Sequence, residues 1–501
     1  MGRTDVAPGW VYRYPDGVEL TSTGDSGFSL STASSSVAFE SLRPTQAAIL
    51  RRLADGVRAD ELESIAAADD RMWARMTIAQ LLAAQLLERT LVEAGQVVAT
   101  AEIVGVDYRP NERVPAADAV LRLSRFAVVH QQDGVFLLES PLSRVRFVLT
   151  DPRSMVVLAV LGHGRVLSGI GWPDDITPAT GVLFARALFQ EGFLEDATTG
   201  VTSIAGMDED AHAALGEWAF HDLLFHARTR LGRHRLAYGG TYPQYGRREP
   251  LPAVKDPGPG EIVELAVPDL DRLRRTDPAF ADVVETRRSW RMPGPDPLTR
   301  DQLGEFLFRT ARVRERFRGT REEVTSRPYP GGGADYELEI YLAAYRVADL
   351  PRGLYRYDPG QHGLEKIAPW TPLVGRIAEQ TARKAPPGQT ADVTLLVTAR
   401  LLRLTYKYES IAYAVALKDL GVLYHGFYLA ATAMGLAPCA VGGGDSDAFA
   451  AATGISALTE PQIGEFLLSS RNREEVQAND RLKTDRQHRN GPPTEIATPL
   501  T

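Results

Sequence analysis

Three arginines and a serine fall within five consecutive positions, Arg287, Arg288, Ser289 and Arg291, inside the stretch VVETRRSWRMP at 283–293. Guanidinium forks match a phosphate or the oxygens of a polar heterocycle, so the cluster suits an anionic ligand; a solvated helix end would carry the same letters. Two glycine runs offer a different chemistry. SRPYPGGGADYELEIY, 326–341, stiffens a turn with proline and sets Gly331, Gly332 and Gly333 ahead of a strand-like run, and AVGGGDSDAF, 440–449, ends an apolar run in Gly442, Gly443 and Gly444. Backbone without side chains can approach a flat ligand closely, although such runs also serve as plain turns. The fourth feature is TYKYES, where Lys407 and Tyr408 put an amine beside a phenol, a pair able to pass a proton or to stabilise charge; a surface lysine next to a core tyrosine reads the same way.

The chain that must position these groups has 501 residues, 44% of them hydrophobic, enough for two to four folded domains. With 64 acidic against 56 basic residues and a net charge of -8 it has no positive field to draw it to nucleic acid, so none is expected as a partner. A single cysteine, Cys439, excludes an internal disulfide and a cysteine-based metal cluster, and the first residues lack the apolar core of a signal peptide, so a cytoplasmic protein is expected. His221 and His226 are five apart and would not share a helix face as metal ligands, and His234 lies in a turn; no metal site is expected. The uncharged stretch 421–444 is long enough to span a bilayer, but Pro438 and its glycines predict a helix buried on all sides followed by a strand, CAVGG, and no membrane segment.

Periodicity divides the rest. Residues 1–115 and 116–235 each run through helical spacing and strand-like stretches and read as two winged-helix-like domains. The helix expected over 78–92 is filled by Leu81, Leu82, Leu86, Leu87 and Leu91 with Arg89 as its one cation, which suits a peptide-binding groove better than DNA. A helix opens at Thr177 with Pro178 in its first turn. Residues 236–280, rich in tyrosine, glycine and proline, are expected to be an extended linker. From 281 to 473 helices alternate with strands, predicting an α+β domain with a mixed sheet, and 474–501 is a polar tail.

Together, in order and spacing, these features resemble the SagB-type azoline dehydrogenases of ribosomal-peptide biosynthesis, a flavin-dependent branch of the nitroreductase-like fold that includes the cyanobactin oxidases. The resemblance rests on Arg287–Arg288–Ser289–x–Arg291, SRPYPxGG at 326–332, GLYRYDP at 353–359, Lys407–Tyr408, and 428–436 running into Cys439–Ala440–Val441–Gly442–Gly443. It continues upstream through LSRFAVVHQQDGVFLLESPLS and WAFHDLLFHARTRLGRHRLAYGGTYP. It implies a nitroreductase-like domain binding FMN through Arg287, Arg288, Ser289, Arg291, Gly331, Gly332, Gly442, Gly443 and Arg471. It further implies Lys407 and Tyr408 as the catalytic pair, a homodimer, an azoline-containing precursor peptide as substrate and a cyclodehydratase as partner. If the pair does not take the ring proton, His425 is the next candidate. The chain departs from the pattern in having no arginine across 409–414, Val422 for a histidine and Gly331 for a serine. A weakly active flavin-binding scaffold subunit and a small-molecule nitroreductase are the alternative readings.

Overall fold

The computed structural model describes residues 9–471 except 24–25, 33–34, 67, 106–107, 109–110, 112, 198–212, 235 and 382–389, so the polar tail lies outside the described residues. Two units are distinguished, Met1–Ala237 and Tyr238–Thr501.

In the first unit an antiparallel sheet runs in the order Val57–Arg58, Gly9–Arg13, Glu88–Glu93, Gln96–Ile103, Val145–Leu149, Val135–Glu139, Val128–Gln132. Strand Gln96–Ile103 pairs with Val145–Leu149, joining Ile103 to Val145 and Ala99 to Leu149. The boundary expected at 115/116 therefore falls between strands of one sheet, backed by one buried cluster that extends from Phe28 to Leu194. The helix expected over 78–92 is corrected: the helix is Arg71–Ala83, and Glu88–Glu93 is a strand. The β-branched Thr90 and Val92 are paired on both sides, to Gly9–Arg13 and to Gln96–Ile103, and this non-local pairing outweighs the leucine spacing. Local signals that need no partner hold. Helix Pro178–Gln190 starts where Thr177 accepts a hydrogen bond from the Thr180 N–H. His221 and His226 lie in helix Phe220–Arg228, and among the described residues no group of acidic, histidine or cysteine side chains is arranged to hold a metal.

The second unit is built on an antiparallel sheet in the order Ile262–Glu264, Gly363–Pro369, Gly353–Asp358, Leu338–Ala344, Val393–Ala399, Gln462–Ser469, Ala437–Val441. Every residue of Leu338–Ala344 and Val393–Ala399 is buried, so these central strands are covered on both faces. Helix Arg300–Ala311, opened by a reciprocal Thr299–Gln302 cap, and the long helix Ala412–Ala433 share a core with the sheet through Phe306, Leu423, Phe427 and Phe466.

Two expectations change here. Ala412–Ala433 is not buried on all sides: Tyr413 and Leu417, one turn apart, remain 42% and 37% exposed on one face, and Val422, on the opposite side of the helix, remains 38% exposed. Nor is 236–280 a free linker. Arg403, Arg327 and Arg356 donate to the carbonyls of Leu251, Ala253 and Asp256, Lys255 reaches Glu460 at 2.6 Å, and strand Ile262–Glu264 extends the sheet edge. Cationic side chains acting from beneath hold a segment whose own residues carry no periodic signal. Among the described residues no helix is long and apolar enough to cross a membrane.

Candidate functional site

Lys407 closes the short helix Leu401–Lys407, and Tyr408 follows in extended backbone, four residues before the long helix begins. The glycine run lies against both. Gly333 is in the left-handed region, φ 59°, and a Cβ built on it would lie 2.4 Å from Lys407 Nζ and 2.4 Å from Tyr408 Oη. Only the missing side chain lets amine and phenol converge there. Lys407 Nζ donates to the Gly333 carbonyl at 2.9 Å. Gly332 faces the long helix: its N–H donates to Asp419 Oδ2 at 2.8 Å, and a Cβ on it would meet Val415 Cγ1 at 2.5 Å.

Acidic groups surround the amine. Asp335 Oδ1 is 3.3 Å and Glu322 Oε1 3.5 Å from Lys407 Nζ, both carboxylates being buried. Tyr242 closes the far side. Its hydroxyl donates to Glu322 Oε1 at 3.2 Å, its ring centroid is 5.7 Å from Lys407 Nζ, and its N–H donates to the Lys407 carbonyl at 3.0 Å. The segment around it is tied down by mutual backbone hydrogen bonds between Gly239 and Glu409. Arg403, almost fully buried, fastens the assembly by donating to the carbonyls of Asp335, Leu251 and Glu323.

Burial by itself would lower the Lys407 pKa and favour the free amine, and these charges reverse that. Burial does pull the ammonium down, but Asp335, Tyr408, Glu322 and Tyr242 together outweigh it and hold the group above the ordinary lysine value. Burial pushes the Asp335 carboxyl up to about 7 against the pull of Lys407, and pushes Glu337, both of whose oxygens lack hydrogen-bond partners, up to about 8. Burial also raises the Tyr408 phenol, with the lysine charge opposing it.

The arginine cluster forms a second group. Helix Phe280–Thr286 ends at Arg287, and the chain then runs beside Ala437–Val441, where the Trp290 N–H donates to the Pro438 carbonyl at 2.8 Å. Ser289 Oγ is 2.7 Å from Tyr428 Oη, which accepts from the Ala440 N–H at 2.8 Å. Arg287 lies over the Tyr428 ring at 5.3 Å, and Arg288 and Arg471 lie over Trp290 at 5.0 and 4.8 Å. Pro293 bridges to Arg471, which brings the distant end of the domain to this loop. Among the described residues no carboxylate pairs with Arg287, Arg288 or Arg291, and Trp290 Nε1 is buried without a hydrogen-bond partner. Guanidinium groups left without an acidic partner and an orphaned indole N–H fit an anionic, hydrogen-bond-accepting ligand. Gly442 and Gly443 are exposed, with nothing within 4 Å of a Cβ at either, so an approach there is open.

The single chain thus gathers its candidate residues into two groups. Gly331, Gly332, Lys407 and Tyr408 lie near Asp419, while Arg287, Arg288, Ser289 and Arg471 lie near Tyr428, nine residues further along the same helix and about 14 Å up its axis. His425 joins neither: it lines an open groove of about 710 Å³ with Phe280, Tyr329 and Val422. Sequence reasoning missed Tyr242, Glu322, Asp335, Glu337 and Asp419, and did not single out Gly333 within its run. The raised density of acids after the glycine turn, ADYELE, hinted at Asp335 and Glu337 alone.

Residues 121–235 match the model of the cyanobactin oxidase family, and residues 284–464 match the nitroreductase family. A nitroreductase-type protein of Methanocaldococcus jannaschii is 28% identical over 183 residues, covering 36% of this chain and 85% of its own length. Among solved structures, a nitroreductase-type protein of Ralstonia eutropha overlaps 44% of this chain and 95% of its own at 21% identity and a TM-score of 0.34. A chain of the E. coli microcin synthetase McbBCD complex with truncated pro-MccB17 bound overlaps 47% of this chain and 89% of its own at 17% identity and a TM-score of 0.32.

Proposed function

Starting from a chain that joins a cyanobactin-oxidase region to a nitroreductase-family domain, we propose that it oxidises thiazoline or oxazoline rings of a ribosomally made peptide to the aromatic azoles. The observation that carries this reading is the convergence of Lys407 Nζ and Tyr408 Oη over the Gly333 backbone, an acid–base pair packed against a glycine turn. Aromatising an azoline removes a proton from one ring carbon and a hydride from its neighbour. Flavin mononucleotide, when bound, supplies the hydride acceptor. Arg287, Arg288, Ser289, Arg291 and Arg471 would hold its phosphate and polar edges, Gly442 and Gly443 would leave room for it, and Gly331 and Gly332 would offer it backbone beside the Lys407 turn.

The chain's own part is to bind the substrate, orient the ring and move the proton. Lys407, kept charged by Asp335 and Glu322, and Tyr408 beside it are the groups that handle that proton. We further propose a homodimer in which a second copy covers the exposed apolar face carrying Tyr413 and Leu417. Residues 1–237 are proposed to hold the precursor peptide, with a cyclodehydratase supplying the azolines. Incubation of the flavin-loaded protein with a thiazoline-bearing peptide tests the reading: a loss of about two hydrogens per ring by mass spectrometry is expected. Reduction of a nitroaromatic with no loss from the peptide would replace it by a small-molecule nitroreductase.

A further inference from the structure

Lys407 held as an ammonium has no lone pair with which to take a proton, so the amine needs a neighbour that can relieve it of one. Asp335, two residues past Gly333, is fully buried; its Oδ1 lies 3.3 Å from Lys407 Nζ and its Oδ2 has no hydrogen-bond partner. Leaving a buried acceptor unmade is costly, and the cost is reduced when the oxygen carries a proton. The groups that face Asp335 come from each element packed on it. Lys407 and Arg403 reach it from the short helix and Tyr408 from just beyond that helix. Glu322 precedes strand Glu323–Ser326, with Tyr242 hydrogen-bonded to it, and Glu337 follows in the chain. Two cations therefore stand among three carboxyls.

We propose that Asp335 is the terminal acceptor of the proton leaving the azoline ring, reached through Lys407, with Glu322 and Tyr242 holding the ammonium in line; this rests on the azoline dehydrogenase reading. The step balances without a further reagent. The ring C–H bond breaks and its electron pair enters the aromatic system as hydride leaves the neighbouring carbon for the flavin. The proton goes to the Lys407 amine as the ammonium yields one to the Asp335 carboxylate, so that lysine ends charged and aspartic acid neutral. Asp335 acts through Lys407 and is a positioning and relay residue. The raised Asp335 carboxyl, at about 7, allows both forms near neutral pH.

The test uses the full-length, flavin-loaded protein mixed anaerobically with a thiazoline-bearing peptide, following flavin bleaching in a single turnover across about pH 5.5 to 9. The wild-type rate should fall with decreasing pH through about 7, as Asp335 becomes protonated. Asp335→Asn should keep its flavin spectrum, slow by about 10²-fold or more and lose that acidic limb. A second readout needs no turnover: in protein labelled with ¹³C at aspartate carboxyls, the resonance absent from Asp335→Asn should titrate near neutrality and move to higher pH in Lys407→Met, where the cation is gone. Wild-type rate and limb in Asp335→Asn beside an inactive Lys407→Met overturn the relay and leave the dehydrogenase reading standing. So does an Asp335 resonance that Lys407→Met does not shift. Wild-type protein that binds flavin yet never consumes the thiazoline refutes the reading and the relay with it.

Discussion

Replacing Gly333 by alanine would place a methyl group where the two candidate catalytic side chains meet. The new Cβ would stand 2.4 Å from Lys407 Nζ, 2.4 Å from Tyr408 Oη and 2.9 Å from Lys407 Cε, whereas ordinary van der Waals contact begins near 3.4 Å. Both head groups must retreat by about 1 Å, and a misplacement of that size costs on the order of 10²-fold in rate. The left-handed backbone at φ 59° adds roughly 1–2 kcal/mol of conformational strain once a side chain is present, a fall of a few degrees in Tm for a unit of this size. Gly454, also left-handed at φ 72° but with nothing within 4 Å of its Cβ, separates the two effects. Gly454→Ala should lower Tm similarly and leave azole formation unchanged. Gly333→Ala should retain flavin, measured by its absorbance, while azole formation followed by mass spectrometry drops about 10²-fold. Wild-type turnover by a folded, flavin-loaded Gly333→Ala protein would refute the claim that Lys407 and Tyr408 work together above this glycine.

Three further outcomes follow from the geometry. Arg287→Ala and Arg288→Ala should each weaken flavin retention by the roughly 1.5–3 kcal/mol of a charge-assisted hydrogen bond, read as faster release of flavin fluorescence on dilution, because neither guanidinium has a carboxylate partner to release. Glu337→Gln should stabilise the fold increasingly as pH rises. Burial lifts the wild-type carboxyl from 4.5 to about 8, so the folded state binds the extra proton and loses stability as pH rises through that window, by at most roughly 5 kcal/mol; thermal melts at low and high pH check whether the gap between variant and wild type widens. Arg403→Ala should destabilise by roughly 3 kcal/mol or more in denaturant melts, since it strands the buried carbonyl of Asp335 and the partly buried carbonyls of Leu251 and Glu323 at once, and should loosen Tyr242 before the sheet unfolds, seen as early tyrosine hydrogen exchange.

Much of the second unit could be read from letters because its signals are local. The Thr299–Gln302 cap, the apolar spacing of Arg300–Ala311 and the strand runs of Leu338–Ala344 and Val393–Ala399 each declare an element within a dozen residues, and Arg287, Arg288, Ser289 and Arg291 declare a cationic cluster within five. Where two letters compete, tertiary pairing decided. Residues 88–93 carry leucine spacing that suits a helix, yet pairing with a strand on each side made them a strand. The surroundings of Lys407 were hidden for a related reason: Tyr242, Glu322 and Asp335 lie 165, 85 and 72 positions away, and nothing in a tyrosine of a proline-rich stretch or in an isolated glutamate foretells which amine it will face. The sign of the Lys407 shift depended on that enclosure. Sequence identified a lysine beside a tyrosine, and burial alone would have made it a weaker base-holder of its proton. Only the fold set two carboxylates within about 3.5 Å of the amine, and a Coulomb attraction in a partly desolvated site outweighs the desolvation that burial imposes.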